Sequence, residues 1–277
     1  LAGAAGDALG AAVEFMSEAV IHARFGPEGI RDFAEAYGRI GAITDDTQMT
    51  LFTAEGLLRG WVRGCTKGVA DYPSVVANAY QRWLRTQGER APLEAGAEAP
   101  GWLFQHRALL SRRAPGNTCL TALQEAAMLG ERASNNSKGC GGVMRMAPAG
   151  LALSRDRVFL MAAEFAALTH GHPSGYLSAG TLAMIVFNLV EGYELSAAIE
   201  DAMQELAMHK DHEECTAVLE KALSLLESDL PDQRAIQQIG EGWVGEEALA
   251  IAVYCAMKYP HDLSKALNAA VNHDGDS

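Results

Sequence analysis

The 277-residue chain is poor in aromatic residues (7%) and in positive charge. Its 22 Lys and Arg stand against 35 Asp and Glu, a formal net charge of −13. With a pI near 5.0, it lacks the basic balance that gripping a phosphate backbone calls for, so nucleic acid is not expected as its primary ligand. Cysteine is sparse too. Cys65, Cys119, Cys140, Cys215 and Cys255 are odd in number, far apart and never in C-x-x-C spacing. That argues against a disulfide framework or a cysteine zinc site, and it suits a reducing, cytoplasmic setting. No run of about 18 uninterrupted apolar residues occurs. The best apolar stretch, 177–190, contains Asn188, so neither a spanning helix nor a membrane partner is expected. The first residues fall within a helical pattern without a basic leader region, and no secretory leader is read from them. Sustained period-two alternation of β-branched residues is also missing, which leaves no basis for a sheet.

Small residues are abundant. There are 48 Ala and 28 Gly, and apolar residues make up 49% of the chain. Apolar positions recur at spacings of three and four through 49–61, 75–84, 118–129, 157–169, 178–191, 197–209, 213–226 and 246–257. That periodicity predicts amphipathic helices, and the Ala content lets their backbones pack closely. Gly-, Pro- and Asn-rich segments at 25–29, 88–101, 114–117, 134–142 and 171–175 read as loops. No internal repeat or linker-like shift in composition divides the chain, so one all-α domain over 1–277 is expected. Ser196 is expected to cap one helix, and Pro231 to separate two others.

Several clusters carry chemical meaning. Thr44-Asp45-Asp46-Thr47 precedes an amphipathic run. One cap needs a single acceptor, so the second Asp is surplus to capping. Two carboxylates and a hydroxyl together suit a hard cation such as Mg²⁺ or Mn²⁺. In 3–15, Gly3, Gly6 and Gly10 line one side of a predicted helix, and Asp7 and Glu14, seven apart, share a face. Ser137, Gly139, Gly141 and Gly142 lie in a glycine-rich loop ending Met144-Arg145. Backbone amides there can cradle an anion, with Ser137, Lys138 and Arg145 as further donors; a plain flexible loop is the alternative. His170 and His172 occupy a Gly/Pro turn with no Cys or third His near in sequence, so a polar substrate contact is favoured over zinc. Gly242 and Trp243 sit in a glycine-hinged loop opening onto Glu246 and Glu247. The end of the chain, 272–277, reads as an acidic turn of the kind that is commonly solvated.

Taken in order, these motifs resemble the ADP-ribosylglycohydrolase family, the group that contains dinitrogenase-reductase-activating glycohydrolase. The resemblance extends over essentially the whole chain. It rests on Gly6-Asp7-Ala8-Leu9-Gly10 with Glu14, Thr44-Asp45-Asp46-Thr47, 114–118, 137–148, Thr169-His170-Gly171-His172, 242–249 and 273–277. It implies an all-α fold around a cleft holding two divalent cations, Mg²⁺ or Mn²⁺, and a hydrolase that removes ADP-ribose from modified protein side chains, arginine-linked ones favoured. Glu14, Thr44, Asp45, Asp46 and Asp276 match metal ligands, and Glu14, Asp45 and Asp46 would carry the catalysis. Ser137, Gly139, Gly141, Gly142, Met144, His170, Gly242 and Trp243 match positions around the ADP-ribose. The partner implied is an ADP-ribosylated protein or a small molecule containing ADP-ribose, together with a cognate ADP-ribosyltransferase. Two other functions fit the same pocket: a non-catalytic ADP-ribose-binding module, and a protein protecting against an ADP-ribosylating toxin. The family's closing motif is Asp-x-Asp-[Ser/Thr]. Asp276 matches its first Asp and Ser277 is the last residue, so the resemblance suggests a sequence truncated at both ends, inside the metal site.

Overall fold

The computed structural model describes residues 1–95 and 101–276, and thirteen α-helices occupy most of them. Ser277 and part of the predicted 88–101 loop lie outside the described residues. The eight predicted helices are all present: α3 (Asp45–Lys67), α4 (Tyr72–Thr86), α5 (Asn117–Glu125), α7 (Val158–Ala167), α8 (Pro173–Val190), α9 (Leu195–Leu206), α10 (Glu213–Leu225) and α12 (Gly245–Lys258). To these the structure adds α1 (Ala2–Gly10), α2 (Glu18–Phe25), α6 (Ala147–Ala152), α11 (Asp232–Ile239) and α13 (Leu263–Val271). Two-residue strands, β1 (Glu35–Ala36) and β2 (Arg39–Ile40), pair antiparallel across Tyr37-Gly38. Both turn residues have positive φ, +51° and +75°, the requirement of a tight hairpin turn.

The core forms around α8, which packs against α6, α7, α9, α10 and α12. α8 is long and apolar enough to cross a bilayer by length and composition, but it is mostly buried within the protein. Its Asn188 amide donates to Ala198 O and Asp201 Oδ2, tying α8 to α9. α3 and α4 form a second close pair, and Gly56 permits it: a Cβ there would lie 2.8 Å from the Val76 Cα. A smaller apolar cluster, including Leu9, Val13, Ile21 and Val271, joins α1 and α2 to α13.

Three local expectations change. The helix predicted through 3–15 stops at Gly10, and short turns carry the chain to Phe15 at φ +68°. Glu14 remains near enough to Asp7 to feel its charge, and it also feels Asp46 at the N-terminus of α3. Ser196 is no cap, because α9 begins one residue earlier with Glu194 in the cap position. α5 ends at Glu125, before the predicted 129. Pro231 does separate α10 from α11.

Candidate functional site

The site is assembled at the N-terminus of α3. Thr44 is the N-cap, and its hydroxyl accepts from the Asp46 amide at 3.3 Å. Asp7, on α1, binds this turn from below. Its carboxylate accepts from the Thr44 amide at 2.9 Å, the Thr47 amide at 3.1 Å and the Thr47 hydroxyl at 2.5 Å. These bonds satisfy donors that a helix start leaves open, and they place Asp7, Asp45 and Asp46 at the positive end of the helix dipole. Asp45 is buried and accepts from the Gly116 amide at 3.3 Å.

Opposite lies the glycine loop. Gly139 pairs with Val244 as an isolated β-bridge, and the Cys140 amide donates to Trp243 O. The loop thus lies alongside the 240–245 loop, whose Glu241 and Gly242 amides donate to the Glu247 carboxylate. Between these elements is a cavity of about 240 Å³, lined by Asp46, Cys140, Met144, Gly242, His273 and Asp276, among others. The end of the chain is not a solvated tail. His273 is buried, Asn272 exchanges hydrogen bonds with the Ile30 backbone, and Asp274 accepts from the Glu18 amide. This anchoring brings Asp276 to the cavity, where its carboxylate accepts from the Cys140 thiol at 2.9 Å.

Four sequence-predicted carboxylates, Glu14, Asp45, Asp46 and Asp276, therefore lie near enough to repel one another. Burial, reinforced by Asp46, Asp276 and Asp7, pushes Glu14 up to about 8. Burial together with Asp7 and Asp276 takes Asp46 to about 8. Asp45 is raised by burial and by Asp46, and Asp276 mainly by burial. Glu14 Oε2 is buried without a hydrogen-bond partner. Four hard oxygen donors short of positive charge, one of them without a partner, fit a divalent cation. Among the described residues, no three His, Cys, Asp or Glu side chains converge on a common ligation point. The carboxylates are neighbours without sharing a single point.

The remaining predicted residues fall into distinct places. Ser137 accepts from the Gly139 amide and meets the Thr118 hydroxyl. His170 lies behind the loop, 1% exposed, with Nδ1 2.8 Å from the Thr169 hydroxyl. A Cβ on Gly139, Gly141 or Gly142 would lie 3.4, 3.1 or 3.5 Å from the His170 ring, so the glycines let the loop rest on that imidazole. The expectation that Lys138 and Arg145 donate toward a ligand is corrected. Arg145 is fully buried, bonded to Thr169 and stacked on Tyr80, while Lys138 turns back to Glu214 and Glu246. Trp243 stacks on Phe15, ring centroids 5.9 Å apart, with both rings exposed at the rim. Sequence reasoning missed Tyr37, whose hydroxyl faces Glu14 and favours its charged form; the Tyr-Gly turn dipeptide was its only signal. It also missed Cys140 and His273 as cavity walls.

The structure is thus an all-α fold with a cavity, bearing Asp46 and Asp276, beside a glycine loop. The sequence profile of the ADP-ribosylglycohydrolase family matches residues 1–277, and the chain belongs to that family. It is 28% identical over 217 residues to the ADP-ribosyl-[dinitrogen reductase] glycohydrolase of Rhodospirillum rubrum. That alignment covers 75% of this chain and 62% of the relative's length. A solved structure described as an ADP-ribosylglycohydrolase-related protein complex superposes over 100% of this chain and 79% of its own, with TM-score 0.62 and 24% identity. That likeness is one of fold.

Proposed function

We propose that the chain is a metal-dependent hydrolase that releases ADP-ribose from modified protein side chains, arginine-linked ones by preference. The observation that carries this reading is the set of carboxylates Glu14, Asp46 and Asp276, near enough to act on one another and all held above their usual range, with Asp46 and Asp276 lining the cavity. Family membership and the glycohydrolase named above support it.

Glu14, Thr44, Asp45, Asp46 and Asp276 would hold one or two Mg²⁺ or Mn²⁺ ions. When bound, such ions polarise ribose hydroxyls and lower the pKa of water. The chain's own residues then have separate tasks. Glu14, with Tyr37 facing it, is placed to orient a water and take its proton. Asp45, anchored by Gly116, keeps the start of α3 in register. The loop Ser137–Met144 receives the diphosphate along its backbone, with His170 as its floor, and Gly242 and Trp243 close the opposite wall.

The test is release of ADP-ribose from arginine-, serine- and base-linked substrates with Mg²⁺ or Mn²⁺. Fastest release from the arginine conjugate is expected, abolished by a chelator, with Asp45→Ala lowering kcat at least about 100-fold. Full turnover under chelation would refute the metal-dependent mechanism. Binding of ADP-ribose without hydrolysis of any substrate would favour a non-catalytic module, the reading that the unconverged carboxylates allow.

A further inference from the structure

Lys138 sits within the loop proposed to receive the ligand, yet its ammonium does not face the cavity. It lies 2.5 Å from Glu214 Oε1 on α10 and 2.6 Å from Glu246 Oε1 on α12. Glu246 is 2% exposed, and its other oxygen, Oε2, is buried without a hydrogen-bond partner. Glu214 is tied in turn to the Ser174 hydroxyl at the start of α8. The backbone on either side of Lys138 is held by the same elements. Lys138 O accepts from the Gly245 amide at 2.7 Å, and Ser137 O accepts from the His172 amide at 3.2 Å. One cation thus binds the loop to two helices, α10 and α12, with α8 reached through Glu214, and among the described residues it is the only cationic partner of the buried Glu246. Burial of the ammonium disfavours its charge, but the hydrogen bonds to Glu214 and Glu246 outweigh this and hold it protonated.

We propose that Lys138 is a positioning residue: gripped between Glu214 and Glu246, it holds loop 137–142 at the cavity in the arrangement that receives ADP-ribose. The identity of the ligand rests on the function proposed above; the holding of the loop does not. Of the three groups only Glu246 is buried, so removing Lys138 leaves that one carboxylate without its compensating charge, whereas the half-exposed pair with Glu214 adds little stability. The cavity contributions of Cys140 and Met144 follow Lys138 in the chain, so a loosened loop would be felt as weaker binding rather than slower chemistry.

Three variants decide the matter: Lys138→Met, Lys138→Arg, and Lys138→Met combined with Glu246→Gln. In Lys138→Met, amide hydrogen exchange at 139–143 is expected to accelerate at least about tenfold. Kd for ADP-ribose, read by calorimetry, and KM are expected to rise about tenfold, with kcat within about twofold. Lys138→Arg should restore both readouts. The double variant, free of the orphaned charge, should recover the melting temperature yet keep fast exchange and weak binding, which separates positioning from stability. It also carries the test should the single variant not fold. Unchanged exchange and unchanged Kd in Lys138→Met, or full recovery of binding in the double variant, would overturn the proposal. A wild-type chain that binds no ADP-ribose would instead refute the proposed function, while the exchange measurement still decides on Lys138.

Discussion

At the scale of single residues, the site depends on glycines whose reason lies behind them. Gly139, Gly141 and Gly142 were readable as a flexible or anion-binding loop. The structure adds that their missing Cβ atoms make room for His170, Cys119 and Gly175 O. Sequence could not reveal this, because the crowding comes from residues 20 or more positions away. Gly242 faces a sharper constraint. It has φ +82°, and a Cβ there would lie 2.6 Å from Asp276 O. Gly242→Ala therefore meets a left-handed conformation that disfavours a side chain by about 1–2 kcal/mol, and it meets backbone as well. The expected loss is about 1–3 kcal/mol of unfolding free energy, measured by urea denaturation, together with displacement of Asp276 and reduced turnover. Wild-type stability in this variant would show that the loop relaxes freely.

At the scale of elements, the long amphipathic helices were legible and the short connections were not. α3, α8 and α12 run for 14 residues or more, so their three-and-four spacing stands out from local noise. α1 is different, because a Gly/Ala run continues past Gly10 with no stop signal. Past Gly10 the chain turns, and it reaches Phe15, stacked on Trp243 from a distant loop, a contact that local sequence does not signal. The strand pair β1–β2 has two residues a side, too few for any period to show, yet it delivers Tyr37. The junction of α1 with α3 is held by one carboxylate accepting from the Thr44 amide, the Thr47 amide and the Thr47 hydroxyl. Asp7→Ala leaves those donors half-buried without their partner, which costs about 1–3 kcal/mol. A lower denaturant midpoint and faster amide exchange at Thr44 and Thr47 are expected. An unchanged midpoint would mean that water replaces the carboxylate without cost.

At the scale of the whole molecule, four of the 35 acidic residues draw together in the cleft, and this has a consequence. The four carboxylates of the cleft were named from sequence, because surplus acids beside a cap, and a matching motif near residue 276, could be recognised locally. Their mutual repulsion could not, since it depends on the fold bringing residue 14 to residue 276. Burial, with that repulsion added to it, makes stability depend on pH in a direction that can be worked out. Glu14 and Asp46 titrate near 8 in the folded chain, against about 4 when unfolded. Between those values the folded state holds more protons than the unfolded state, so stability falls as pH rises. His170 acts in the opposite direction. Burial first, then Arg145, lowers it to about 3, so the folded state holds fewer protons between about 3 and 6.5 and gains stability as pH rises through that range. The opposing contributions overlap below pH 6.5, and from about 6.5 to 8 the carboxylates act without His170. In chelator, the melting temperature is therefore expected to drop between pH 6.5 and 8. Added Mg²⁺ or Mn²⁺ should raise it most at pH 8, because a cation stabilises the ionised cluster and displaces its protons. Thermal melts at the two pH values, with and without the cation, measure both effects. A melting temperature that climbs across this window in chelator, or that ignores the cation at pH 8, would refute the proposed metal site.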